Sequence, residues 1–305
     1  MDEPRERSVL HWEHNGVGVV LAEAQRSLGV DAWVVASGTH PFGFREDQLL
    51  PPHRRSPGRA LASLVEWRRL HRYEVLHSHD VHVPRPALYQ WKGATVMHYH
   101  APRLSALVDF ADVSLVSLPG ALQDVPDGVW IPLPARTAMF HPRLREEHQG
   151  VRIGYSAQTL DASKVPLVPV AEVVSAVRSA GAEALLAPLE GVRDQATMPS
   201  YYAGIDVWVD RIGCGFYGFA AVEAAAMGIP VITQIGEYER GFVPGCPFVS
   251  VQRRDVGAAV VDLIRDREKR LELGERSRRF AVDVHDAVLV ARMCLDQYQR
   301  LMKGN

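Results

Sequence analysis

Residues 214–233 read CGFYGFAAVEAAAMGIPVIT. Glycines bracket two aromatics, an alanine-rich run holds one acid, Glu223, and Gly-Ile-Pro leads into β-branched residues. The order is glycine-rich turn, helix, turn, strand. The residues just before, AGIDVWVD (203–210), read as a buried strand ending on Asp210. In an open α/β sheet, ligands bind in the crevice at the carboxyl ends of the strands. A glycine turn opening a helix presents N–H groups and a positive dipole end to an anion. Gly213–Gly218 therefore suits a phosphate, and Glu223, one turn into the helix, reaches a sugar hydroxyl. No cation stands three or four residues from Glu223. Burying a lone carboxylate is costly, so the expectation is an unpaired Glu223 whose partners are the vicinal hydroxyls of a ribose. The competing reading is a helix acid paired with a nearby Arg or Lys.

Outward from this stretch, short apolar runs alternate with amphipathic ones. Strand-like runs fall at 8–12, 31–36, 73–79, 94–100 and 113–117, then at 151–156, 182–188, 205–210, 230–233 and 247–251. Between them lie helical patterns such as 18–29, 169–181 and 256–266. Strand–helix alternation with short connections predicts parallel α/β sheets built from right-handed crossovers. The Pro- and charge-rich section 132–150 (PLPARTAMFHPRLREEHQG) reads as a linker. Two doubly wound domains facing one another are expected, an N-terminal one over 1–140 and a C-terminal one over 150–285. The last amphipathic helix, about 286–305, is expected to pack back on the first domain.

At 305 residues, two domains are the natural division. The net charge of −2 gives no global field toward nucleic acid or membrane. Cys214, Cys246 and Cys294 are scattered and odd in number, which fits a reducing compartment and offers no C-x-x-C site. The start MDEPRERS is polar and no apolar run is long enough to span a bilayer, so a soluble cytoplasmic protein is expected. Residues 42–72 are rich in arginine: Arg54, Arg55, Arg59, Arg68, Arg69 and Arg72. They read either as a solvated face or as a surface for an anionic acceptor.

The stretch GFYGFAAVEAAAMGIPVI resembles the retaining glycosyltransferases of the GT-B fold, family 4, whose signature is an E-x7-E segment with Gly-Phe-Gly and Ala-x-Gly-x-Pro-Val. Glu223 stands at the second glutamate. Gly215 stands at the first, a departure that touches the contact to the donor sugar ring, and Asp210 is the nearest acid to substitute. NGVGVVLAEAQRSLGVDAWVVA (15–36) looks like the family's first strand–loop–helix, so Gly16 and Gly18 are expected at a diphosphate or acceptor loop. VLHSHD (75–80) and VMHYHA (96–101) look like strand ends facing the transferred sugar, which nominates His100. GYSAQTLDASKV (154–165) looks like the loop whose basic residue neutralises the leaving diphosphate. Lys164 takes that role, and Thr159 stands where many members have arginine.

The resemblance implies a glycosyltransferase with His100, Lys164 and Asp210 in catalytic roles. Gly215, Phe216, Tyr217, Gly218, Phe219 and Glu223 would bind the donor. No cofactor is implied beyond the nucleotide sugar itself, UDP- or GDP-linked. Phe216 and Tyr217 stand equally for packing the turn or stacking on a base, and Asp210 for capping it. His77, His79, His82, His98 and His100 with Asp80 could hold a metal, but strand-end histidines need none and no D-x-D occurs, so none is expected. Acceptor and oligomeric state stay open. Other readings are a catalytically impaired nucleotide-sugar or glycan-binding protein and a sugar-nucleotide epimerase.

Overall fold

β-Branched and aromatic residues in runs of three to six form parallel strands wherever helices cover both faces of the sheet. The computed structural model describes residues 8–13, 16–36, 42–49, 72–80, 91–100, 111–156, 168–191 and 194–304. The chain forms two compact units, Met1–Pro134 with Ala287–Asn305, and Ala135–Asp286.

The first unit is a seven-stranded parallel sheet in the order β3-β2-β1-β4-β5-β6-β7. Its strands are β1 (Ser8–Glu13), β2 (Asp31–Ala36), β3 (Gln48–Leu49), β4 (Val75–His79), β5 (Ala94–Tyr99), β6 (Val113–Val116) and β7 (Val129–Trp130). Helix α1 (Val17–Ser27) follows β1. Strand alternation divides the central strands. Leu10, Trp12 and Leu76 join Val35 and Tyr73 in one apolar cluster. The other face carries His11, His77, His79 and His98, all fully buried. His11 pairs with His77 across β1 and β4, and His79 with His98 across β4 and β5. The chain runs β1, β2, β3 to one side and then crosses to β4 on the other, so the sheet's switch point lies between β1 and β4.

The second unit is a five-stranded parallel sheet in the order β12-β11-β10-β8-β9. Its strands are β8 (Val151–Ser156), β9 (Ala184–Leu189), β10 (Val207–Val209), β11 (Val231–Thr233) and β12 (Val249–Ser250). Helices α2 (Val170–Ser179), α3 (Met198–Ala203), α4 (Phe219–Ala226), α5 (Glu237–Arg240), α6 (Val256–Arg265) and α7 (Arg267–His285) surround it. Ile153, Val173, Val207, Val209, Ile232, Val260 and Leu263 belong to its core. Here the switch point falls between β8 and β10. The final helix α8 (Ala287–Gly304) belongs to the first unit and packs on α1.

The alternating α/β reading is borne out, each of the ten strand-like runs holding a strand. The two-residue strands β3 and β7 had no visible run. The section read as a linker is largely structure of the second unit: Phe140 is buried, and Arg278 donates to the carbonyls of Thr137, Phe140 and Ala226.

Candidate functional site

β10 ends at Val209, and the chain turns over residues 210–218 before α4 begins. Gly213 and Gly215 have φ of 96° and 75°, backbone that favours glycine. The turn is tied down internally. Asp210 Oδ2 accepts the Gly218 N–H at 2.9 Å, Gln234 Oε1 accepts the Gly213 N–H at 2.7 Å, and Gly215 O accepts the Gly236 N–H at 2.8 Å. Asp210, 2% exposed, is thus the acceptor that shapes the turn. Phe216 and Tyr217 are buried too, and the Tyr217 hydroxyl lies 2.9 Å from His285 Nε2. They pack the turn. Phe219 is the partly buried first residue of α4. Burial pushes the Cys214 thiol up, which suits a packing residue and not a nucleophile.

The expectation of an unpaired Glu223 is corrected. Gln195 Nε2 donates to its Oε1 at 2.5 Å and the Tyr202 hydroxyl to its Oε2 at 3.1 Å. Both partners come from the segment before β10, outside any helical spacing. Burial still dominates, raising the carboxyl group to about 7, against the lowering effect of these two bonds and of Arg136.

Two residues at this turn escaped the sequence reading. The Arg211 guanidinium lies where a side chain on Gly218 would stand, about 2.9 Å from that Cβ position, and its buried Nε has no hydrogen-bond partner among the described residues. The Glu239 carboxylate, from α5, lies 3.6 Å from the Cβ position of Gly215. A carboxylate therefore stands beside the glycine at the position where the signature this stretch resembles has its first glutamate. Asp210, nominated for that place, is engaged by Gly218. Lys164 lies outside the described residues, as do Thr159, His82 and Arg54, Arg55, Arg59, Arg68 and Arg69 of the basic stretch.

At the switch point of the first unit, Gly16 has φ 87° and begins α1. Its N–H and that of Gly18 both donate to Glu13 Oε2, at 2.6 and 3.3 Å. These two amides, expected to face a diphosphate or acceptor, are capped by the chain's own carboxylate. A Cβ on Gly16 would lie 2.3 Å from the Phe44 ring, so close packing also demands glycine here.

The histidines form one connected cluster. His11 Nε2 donates to Gln25 Oε1 at 2.8 Å, and the contacts run on from His11 Nδ1 to His79 Nε2 (2.9 Å) and from His79 Nδ1 to His100 Nε2 (3.0 Å). Ser117 Oγ joins His100 Nδ1 (2.8 Å) to His98 Nε2 (3.0 Å), and His98 Nδ1 meets His77 Nε2 at 3.2 Å. His77 Nδ1 reaches the Tyr298 hydroxyl at 2.5 Å, which accepts from Gln25 Nε2 at 3.3 Å and closes the ring. With Gln25 donating at one end and accepting at the other, every imidazole is neutral with its proton on Nε2. Burial lowers all five, His11 and His100 to about 4. His100 is the partly exposed member, and the Asp80 carboxylate accepts its backbone N–H at 2.9 Å. The structure adds His11 to the histidines read from sequence.

A broad groove of the second unit, lined by Arg145, Arg270 and Arg278 among others, lies at the amino ends of β8, β10 and β11. These three arginines are engaged by Asp206 and by main-chain carbonyls. Among the described residues no helix is long and apolar enough to cross a membrane.

No protein-family model and no curated protein matches the sequence. Solved structures do match. A glycosyltransferase from Rickettsia africae ESF-5 superposes over 99% of this chain and 100% of its own, with TM-score 0.72 and 12% identity. Anabaena Alr3699/HepE, solved with UDP and glucose, superposes over 96% and 100%, with TM-score 0.65 and 12% identity. AviGT4, a glycosyltransferase involved in avilamycin A biosynthesis, superposes over 98% and 99%, with TM-score 0.66 and 16% identity. The two parallel-sheet units together have the GT-B fold of these glycosyltransferases.

Proposed function

We propose that the chain is a glycosyltransferase that moves a sugar from a UDP- or GDP-sugar to an acceptor held by its first unit. The observation that carries this is Glu223. It is a buried carboxylate on the helix that follows the glycine turn, at the carboxyl end of the strand beside the switch point, with its pKa raised to about 7. A carboxylate so placed accepts two vicinal ribose hydroxyls, with Gln195 giving way on binding. The likeness of fold to Alr3699/HepE, solved with UDP-glucose, supports a nucleotide sugar as the ligand.

In this reading the Arg211 guanidinium and Lys164 offset the developing charge of the leaving diphosphate, so that no metal ion is needed there. The bond from the anomeric carbon to the diphosphate oxygen breaks, and its electron pair leaves with the nucleotide. The acceptor hydroxyl bonds to the same face, giving retention, and its proton passes to the departing phosphate oxygen. Glu239 takes the place nearest the sugar ring that Gly215 leaves open, and His100, just after β5, keeps the sugar-contact role that the resemblance implies.

Gly215 also favours a second reading, a nucleotide-sugar-binding protein without transfer. A panel of UDP-, GDP-, ADP- and TDP-sugars decides. Ligand at about a hundred times its Kd adds roughly 2.7 kcal/mol, or on the order of 5–10 °C in Tm. Selective stabilisation with donor hydrolysis or transfer, retained in chelator, supports the enzyme. Stabilisation without turnover supports the binding protein, and a flat panel opposes both.

A further inference from the structure

The ring nitrogens of the histidine cluster fall into two sets. His11 Nε2, His77 Nδ1, His98 Nε2 and His100 Nδ1 each face an oxygen, from Gln25, Tyr298 or Ser117. The inner nitrogens face only one another: His11 Nδ1 with His79 Nε2, His77 Nε2 with His98 Nδ1, and His79 Nδ1 with His100 Nε2, at 2.9–3.2 Å. Metal-bound histidines show this division, the ring nitrogen away from the ion being held by a partner that fixes ring and tautomer.

The placement is equally suited. His77 and His79 project from one face of β4 with ring centroids 4.2 Å apart, and His11 is the register partner of His77 on β1. One ligand nitrogen from each of the three lies within 4.8 Å of the others. A tetrahedral ion with bonds of about 2.0–2.1 Å sets its ligand nitrogens roughly 3.4 Å apart, within reach of small side-chain shifts.

We propose that His11, His77 and His79 bind a divalent transition-metal ion of the zinc class, as a structural centre fastening β1 to β4. An all-imidazole set selects zinc, copper or nickel over magnesium or calcium. Binding shifts the protons of His77 and His79 from Nε2 to Nδ1, on the sides of Tyr298 and His100, which leaves His11 Nδ1, His77 Nε2 and His79 Nε2 as the ligating lone pairs. Gln25 from α1 and Tyr298 from α8 orient two of the ligand rings, and His98 Nδ1 adjoins His77 as a further donor. The centre uses no donor-binding residue, so it stands or falls apart from the transferase reading.

The test takes the full chain, stripped with a strong chelator and titrated with Zn²⁺ and with Co²⁺. About one ion per chain is expected by elemental analysis, with Tm raised by several degrees and a Co²⁺ visible band of a low-coordinate nitrogen site. His77→Phe, which keeps a buried ring, should abolish binding, while His141→Gln in the second unit should leave it unchanged. If His77→Phe does not fold, X-ray absorption of the wild-type zinc protein reads the ligands directly. At least three imidazole nitrogens at about 2.0–2.1 Å support the centre, and a shell of sulfur or oxygen alone contradicts it. A folded wild-type chain that binds neither ion stoichiometrically overturns the proposal, as does binding that survives His77→Phe.

Discussion

Glu223 couples a proton equilibrium, a folding contribution and the proposed ligand contact in one carboxyl group. Its folded pKa of about 7 lies above the ordinary 4.5. The stability it contributes is therefore fully present below 4.5 and lost as pH rises through 7. That loss amounts to about 3 kcal/mol. Glutamine still accepts from Tyr202 and never ionises, so Glu223→Gln should gain on wild type by up to about 3 kcal/mol between pH 5 and pH 8, read by denaturant melts at each pH. Parallel stability profiles would contradict the buried, proton-coupled carboxylate.

Its neighbours carry their own expectations. Asp210→Ala leaves the buried Gly218 N–H without its acceptor and should cost about 1–3 kcal/mol, seen as a lower Tm with or without ligand. Glu239→Gln should lower turnover by roughly tenfold or more while nucleotide affinity stays within about twofold. Equal loss in both would place Glu239 in nucleotide binding and away from the sugar.

Among the elements, α4 is buried over most of its length. Its residues Ala221–Ala226 are all buried, and α7 packs on it. At Gly274 of α7 an added Cβ would lie 2.2 Å from the Gly228 carbonyl oxygen. Gly274→Ala should therefore destabilise by about 1–3 kcal/mol, despite alanine's better helix propensity. A Tm equal to or above wild type would show that the two backbones can part freely. α4 itself was legible because its boundaries are glycines and its interior is alanine. The partners of Glu223 were not, since Gln195 and Tyr202 reach it only through the packing of the preceding chain. Likewise His77, His79, His98 and His100 show their shared faces in an alternate-residue pattern, while His11 joins them only through strand register.

In the whole molecule, the alternating order of strands and helices gave the parallel architecture, because that pattern admits few topologies. It could not give β3 and β7, where two residues pair at the outer side of a sheet and no hydrophobic run is needed. Nor could it show that residues 135–150 pack as part of the second unit, since their proline and charge content reads as a connector. The same limit hid Glu239, which lies well along the chain from Gly215 and meets it only because α5 follows the neighbouring strand.

On the proposed function, the carboxyl end of β10 in the second unit is a nucleotide-sugar site centred on Glu223. Calorimetric titration of wild type and Glu223→Gln with UDP and with GDP, at pH 8, tests it most directly. Hydrogen bonds to a charged group are worth about 1.5–3 kcal/mol each. Wild type should bind one of the two nucleotides selectively, and the variant should bind it at least about tenfold more weakly while remaining folded. A variant that binds nucleotide as tightly as wild type but melts several degrees lower would contradict the account, leaving Glu223 a structural partner of Gln195 and Tyr202.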